Sequence, residues 1–376
     1  MTLKIILLGF IVFNSIQAEL YWFGEINLQY NSYLKNFKNT ENPIRFGKFN
    51  IGYAISDFEF KSNTALEYNW NNSNASLINF REYYFSYYPS FGEVHIGKQI
   101  ITWGFADGTN PTDNINPYDL NYMFENGVDR KIGIHSISSL IYYNDIKMNF
   151  VLCYDNVKNI KNNRLPLPLP ENNNDKILEY GFDFQYNMND AEFNLSYLMK
   201  KNIPIMIPND VIQTNVHTLG INFLYLYNDI TFRTENAIFM GQNNEKFYQG
   251  IIQLELPTLF ESTIGTQIFG TYNIDNSASG LYGIGSPIFY FTEVSPIFAT
   301  SVSKAFNDET IEINLFTMFE ILDGYGSSLG FEMHYDILDN LKSKIGISKF
   351  LKGNNESFFN YLVDYSSINI NIEYSF

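Results

Sequence analysis

Cysteine is nearly absent from this chain, and each scarcity removes a class of chemistry. The single Cys153 has no partner for an intramolecular disulfide and reads as an inert residue rather than a nucleophile. The histidines, His95, His135, His217 and His334, are far apart and fit no zinc spacing. No phosphate-cradling glycine loop occurs. Basic residues are few, 24 against 40 acidic ones for a net charge of -16, and they do not cluster, so nucleic acid is not an expected partner. After Ala18 no apolar run approaches the roughly 20 residues that a membrane-spanning helix needs.

Aromatic residues, by contrast, are abundant: 28 Tyr and 34 Phe bring the aromatic share to 17%. They are spread as alternation rather than gathered into helical stripes or continuous core runs. The chain opens with Lys4, an apolar core over Ile5 to Phe13, and a small residue at Ala18. That order predicts a signal peptide over residues 1–18 and export of a single domain over 19–376. At the other end Ile368, Ile370, Ile372, Tyr374 and Phe376 alternate with Asn369, Asn371, Glu373 and Ser375. A period of two puts these sets on opposite faces of a strand. The tail resembles the closing strand of a Gram-negative outer-membrane β-barrel. Tyr374 and Phe376 then stand as the assembly signal read by the barrel-assembly machinery.

Strands of the 9–11-residue kind recur along the whole mature chain. They are expected near 20–31, 44–56, 58–70, 77–88, 92–102, 131–142, 146–155, 177–187, 191–201, 214–227, 230–240, 247–256, 261–271, 294–306, 309–320, 328–338, 341–351 and 366–376. Tight links such as Ser56-Asp57, Asn144-Asp145, Asn228-Asp229, Pro257-Thr258, Asn307-Asp308 and Asp339-Asn340 carry residues that turns require. They alternate with longer links at 32–43, 103–130, 156–176, 202–213, 272–293 and 352–365. Short turns at one rim and long loops at the other define the expected fold. It is all-β: a transmembrane antiparallel up-and-down β-barrel of about eighteen strands, with sixteen as the alternative. Trp22, Trp70 and Trp103 fall at strand ends, where an aromatic girdle is expected. If Val94 and Ile96 face lipid, Lys98 follows them unless a bulge at Gly97 intervenes.

A polar-lined ring of this size holds water rather than side chains. Its expected wall includes Glu179, Asp183, Arg233, Glu235, Glu312, Glu332, His334, Lys342 and Lys344. An acidic wall favours cations over anions, unless the acids sit mainly on outer loops; both readings stand.

The most distinctive stretch runs Gly97-Lys98-Gln99-Ile100-Ile101-Thr102-Trp103-Gly104 and continues to Asn116-Pro117-Tyr118-Asp119. It resembles a broad group of porin-like barrels that includes alginate-export-like channels and uncharacterised outer-membrane proteins. The resemblance implies a channel for small hydrophilic solutes, not an enzyme, in which the third long loop folds inward. Asp107, Asp113, Asp119, Glu125 and Asp129 would then face the constriction. The acidic balance departs from the basic lumen that a polyanion such as alginate needs. Asn116-Pro117 and the aspartates also serve as ordinary turn formers, an equally weighted reading. Expected partners are outer-membrane lipid and lipopolysaccharide, with a homo-oligomer left open and no cofactor or metal. The competing classes are a barrel hydrolase built on His334, Asp336, Ser328 and Ser348, and a surface adhesin or structural barrel.

Overall fold

The computed structural model describes residues 18–376 apart from 41, 126, 155–177, 208–209, 243–244, 259, 275–279, 282–295, 323 and 356. The expected signal peptide over 1–18, except Ala18, the link expected at 156–176 and most of the one expected at 272–293 therefore lie outside the described residues.

Alternation along the chain produces one antiparallel sheet that closes on itself. Its strands are β1 (Ala18–Tyr33), β2 (Ile44–Ile55), β3 (Phe58–Tyr68), β4 (Leu77–Tyr87), β5 (Gly92–Gln99), β6 (Ile134–Tyr143), β7 (Ile146–Cys153), β8 (Glu179–Asn187) and β9 (Ala191–Ile207). There follow β10 (Asp210–Tyr227), β11 (Ile230–Gly241), β12 (Lys246–Pro257), β13 (Ser262–Asn273), the two-residue β14 (Gly280–Leu281) and β15 (Ile297–Phe306). The chain ends with β16 (Ile311–Glu320), β17 (Ser327–Leu338), β18 (Leu341–Leu351) and β19 (Ser367–Ser375). Consecutive strands pair throughout, β13 pairs directly with β15, and β14 only touches β9, so eighteen strands form the wall. The ring closes where β1 meets β19, from Glu25↔Ser375 to Tyr33↔Ser367. Closure leaves no free edge, the condition for a sheet to stand in lipid. Gly24 and Phe376 exchange both backbone hydrogen bonds at 3.0 Å, and the Phe376 ring lies 6.0 Å from Trp22.

The tight turns are made by residues that accept a left-handed backbone: Ser56, Asn144 and Asn228 all have φ near +50°. The apolar set points outward, with Tyr180, Phe182, Leu315, Leu329, Ile370, Ile372, Tyr374 and Phe376 all exposed. In water such a surface would be untenable; a lipid surround accounts for it.

Three expectations change. The 202–213 link is largely strand, since β9 and β10 pair from Asp210↔Ile207 to Thr214↔Ile203. Ile203, Ile205 and Ile207 keep the period of two there, and Pro204, which cannot donate to a ladder, hides it. Trp22 and Trp70 are exposed, but Trp103 is only 4% exposed and belongs to no girdle, because the chain turns inward after Gln99. No bulge occurs at Gly97: β5 pairs without a break to β6, and Lys98 stays on the outer face, donating to the Phe80 carbonyl at 2.6 Å. The irregularity sits one strand away, where Asn63 pairs with Glu82 and Thr64 with Phe80, leaving Arg81 as the extra residue. Outward rings switch parity there, from Ile78 and Phe80 to Tyr83, Phe85 and Tyr87.

Candidate functional site: the lumen and the segment bonded across it

Between β5 and β6 the chain makes one long excursion, and Asn116 fastens its base. Its Oδ1 accepts from the Ile101 amide at 2.7 Å, while its Nδ2 donates to the carbonyls of Gln99 and Ile132 at 2.9 and 2.8 Å. One side chain thus ties the exit of β5 to the approach of β6. Asp119 caps the following helical turn, accepting from the Asn121 amide at 3.0 Å. The Asn-Pro-x-Asp run is therefore structural. Two apolar clusters hold the excursion to the inner wall and to the link between β18 and β19, which carries Phe359 and Tyr365. One joins Ile101, Trp103 and Ile115 to Val151, Cys153 and Leu198; the other joins Tyr118, Leu120 and Met123 to Phe350, Phe359 and Tyr365. Each such side chain withdrawn from water contributes about 1.5–3 kcal/mol.

On the flank facing β9 to β12 the attachment is mostly uncharged. Glu235, fully buried, accepts from the amides of Phe105 and Ala106 and from Thr112 Oγ1. Asn222 donates to Thr112 Oγ1 at 2.9 Å and to Asn194 at 3.0 Å, and Asn194 donates to Asp183. Lys200 donates to the carbonyls of Asn114 and Ile115 at 3.1 and 3.0 Å. Gly104, at φ +89°, lies where any Cβ would strike Glu235 and Asn110, so glycine is required at this approach.

On the flank facing β2 and β4 the attachment is ionic. Asp129 receives Lys48 at 2.9 Å, Arg81 at 2.8 Å and Arg45 at 3.6 Å. Arg81 also donates to the Val128 carbonyl at 2.7 Å, and the Arg45 guanidinium sits 3.7 Å above the Tyr122 ring. Burial alone would push the Asp129 carboxyl up, but Lys48 and Arg81 hold it below the ordinary range. Asp119 is raised by burial against the pull of the Asn121 amide. Lys131, fully buried, is lowered by that burial despite its ion pair with Asp113.

The five loop acids thus fall in different places. Asp113 and Asp119 are buried and engaged, Asp129 is partly exposed but bound to three bases, Glu125 is partly exposed, and Asp107 is open to water. Asp107 lies 3.2 Å from Arg233, which also pairs with Glu255. Among the expected wall residues, Glu179 accepts from the Lys201 amide at 3.0 Å, Glu332 binds Lys344 at 2.9 Å and His334 at 3.5 Å, and Lys342 meets Asp336 at 3.4 Å. Glu312 pairs in register with His334 near the short-turn rim. Arg45 and Arg81 were not anticipated; the parity switch in the β4 aromatics was the available signal for Arg81. Ser328 lies six residues from His334 along β17, about 20 Å in an extended strand, so the two cannot act together.

Open space remains on both sides of the excursion. A cavity of about 600 Å³ borders Asp107, Arg130, Gln253, Gln267 and Thr300; another of about 240 Å³ borders Glu25, Asn27, Glu125, Lys344 and Asn371.

No family model matches the sequence, and no curated protein does. Solved structures do match. OccAB3 of Acinetobacter baumannii superposes with a TM-score of 0.61 at 10% identity, covering 96% of this chain and 99% of that one. OccK9 (OpdG) of Pseudomonas aeruginosa gives 0.62 at 7% identity, covering 96% and 98%. OccK2 (OpdF) of Pseudomonas aeruginosa, solved in complex with glucuronate, gives 0.59 at 9% identity, covering 96% and 97%. The shared property is the fold. This chain is a closed eighteen-strand barrel of the kind those outer-membrane proteins adopt, end to end.

Proposed function

We propose that this protein is an outer-membrane channel through which small hydrophilic solutes diffuse, narrowed by the segment between β5 and β6. The observation that carries the reading is the bonding of that segment to opposite sides of the inner wall, Thr112 to Asn222 and Glu235 on one side and Asp129 to Lys48 and Arg81 on the other. Rings of sixteen to eighteen strands leave an aqueous lumen, so a strap across it sets the passage. A modest cation preference is part of the proposal, and it rests on Asp107 and Glu125 together with the wall acid Glu373, since Asp113, Asp119 and Asp129 are already engaged. Purified protein in planar bilayers should give a stable ohmic conductance. Deleting residues 106–110, the stretch nearest the larger cavity, should raise that conductance. A protein that inserts without conducting would overturn the channel reading, and unchanged conductance after the deletion would remove the constriction from it.

A further inference from the structure

The smaller cavity has a wall chemistry of its own. Asn27, Gln29 and Asn31 of β1 stand beside Asn369 and Asn371 of β19, and Asn121 of the inward segment completes a ring of amides. Several of these amides hold each other only loosely: Gln29 reaches Asn31 at 3.4 Å and Asn371 reaches Asn27 at 3.4 Å. The Oδ1 atom of Asn371 is buried and accepts no hydrogen bond. A buried polar atom without a partner is costly, and it marks a place where a ligand or water completes the set.

Charge decides against an anion here. The three bases on this wall are each occupied: Lys48 by Asp129 and Glu25 at 2.9 and 3.0 Å, Lys344 by Glu332 at 2.9 Å, and Arg45 by Glu67 and Asp129 at 3.6 Å. Glu125 and Glu373 line the same space without an ion-pair partner among the described residues. An incoming carboxylate would meet neutralised bases and two acids that no ion pair offsets among the described residues. The amide N–H groups of Asn27, Gln29, Asn369 and Asn371 already donate within the set or to Glu25 and Glu125, so an occupant must above all supply donors. Hydroxyl groups both donate and accept, as amides do. Phe124 adds an exposed ring at the cavity edge, packed 5.8 Å from Phe350 and 5.9 Å from Tyr365. Such a ring offers an apolar face to the C–H side of a sugar. The volume, about 240 Å³, lies below the range of roughly 300–1,000 Å³ typical of larger ligands, so the space suits one ring rather than an oligosaccharide.

We propose that this cavity is a subsite for a neutral, polyhydroxylated solute of monosaccharide size, held by the amides of β1 and β19 and by Phe124. The proposal deepens the channel reading and rests on it for transport, but not for binding. The test uses glucose, glucuronate and lysine as probes on the full protein. In planar bilayers glucose should reduce the single-channel current in a saturable way, and at lower concentration than either charged probe. Calorimetry in detergent should give the same order of binding without requiring conduction. Asn27→Ser combined with Asn371→Ser should raise the half-blocking concentration of glucose about tenfold, the equivalent of one to two hydrogen bonds. Asn121→Ser, on the segment rather than the wall, should shift it in the same direction and serves if the double variant does not assemble. Tighter binding of glucuronate or lysine than of glucose would overturn the subsite and leave the channel standing. Glucose binding by a protein that never conducts would do the reverse.

Discussion

The two flanks of the inward segment are fastened by opposite means. Toward β9 to β12 the fastening is Glu235, Thr112, Asn222 and Asn194, with burial nearly complete. Toward β2 and β4 it is Asp129 against Lys48, Arg81 and Arg45, with the Asp129 side chain 28% exposed. Hydrogen bonds to a buried acceptor depend on geometry and hardly feel salt, whereas ion pairs on a carboxylate that keeps some contact with water are more open to screening and titrate. The first flank is thus a fixed hinge and the second a condition-dependent latch. Opening, where it occurs, should begin at Asp129.

The strongest challenge to this contrast is Glu235→Ala. It strips the acceptor from two amides and a hydroxyl at once, and each donor left buried without a partner costs about 1–3 kcal/mol. The expected result is a large rise in conductance together with protease cleavage between Phe105 and Thr112. Glu235→Gln, which keeps one acceptor oxygen, should do less. If the alanine variant conducts like the wild type, the hinge is held by the apolar clusters instead.

A smaller effect should come from Asp129→Asn, about 1–3 kcal/mol, since it removes charge but keeps an acceptor. Here pH sharpens the comparison. The Asp129 pKa is depressed in the folded state, so its contribution is present above the unfolded value of about 4 and is lost as pH falls through the folded value. Asp119 works in the opposite sense: burial raises it, so the cost of its ionised form vanishes on acidification. Subtracting the Asp129→Asn profile from the wild-type profile isolates the latch. The wild type should gain conductance below about pH 4, and at high salt, where screening weakens the pairs. The variant should already conduct more at neutral pH and low salt and should show a smaller response. Equal acid and salt responses in both proteins would show that the latch is elsewhere.

The wall was legible because its physics is local. A period of two needs only neighbours in sequence, and so do turns at Ser56, Asn144 and Asn228. Ile203 to Ile207 shows the limit of that rule, where a proline interrupts the pattern without ending the strand. The inward segment was legible as a long acidic link but not as a bonded object. Glu235 meets Phe105 across 130 positions, and Asp129 meets Arg81 across a bulge that reverses the facing of β4. No periodic signal reaches over such separations. Acid content alone also pointed equally to five aspartates and glutamates, although burial gives them different work. Asp113 neutralises Lys131 in the core of the segment, and Asp119 caps a turn.

Asp107 provides the finest test of that division. Its side chain is 72% exposed and its contact with Arg233 is 3.2 Å, so the pair contributes only about 0–1 kcal/mol to holding the segment. Asp107→Asn should therefore leave conductance and protease resistance near wild type while changing the field in the larger cavity, where Arg233 is still balanced by Glu255. The reversal potential under a salt gradient should move slightly toward anions, most clearly in dilute salt. A loss of protease resistance in this variant would put a fastening role on the flank that otherwise lacks an exposed ion pair, and the distinction between hinge and latch would fail.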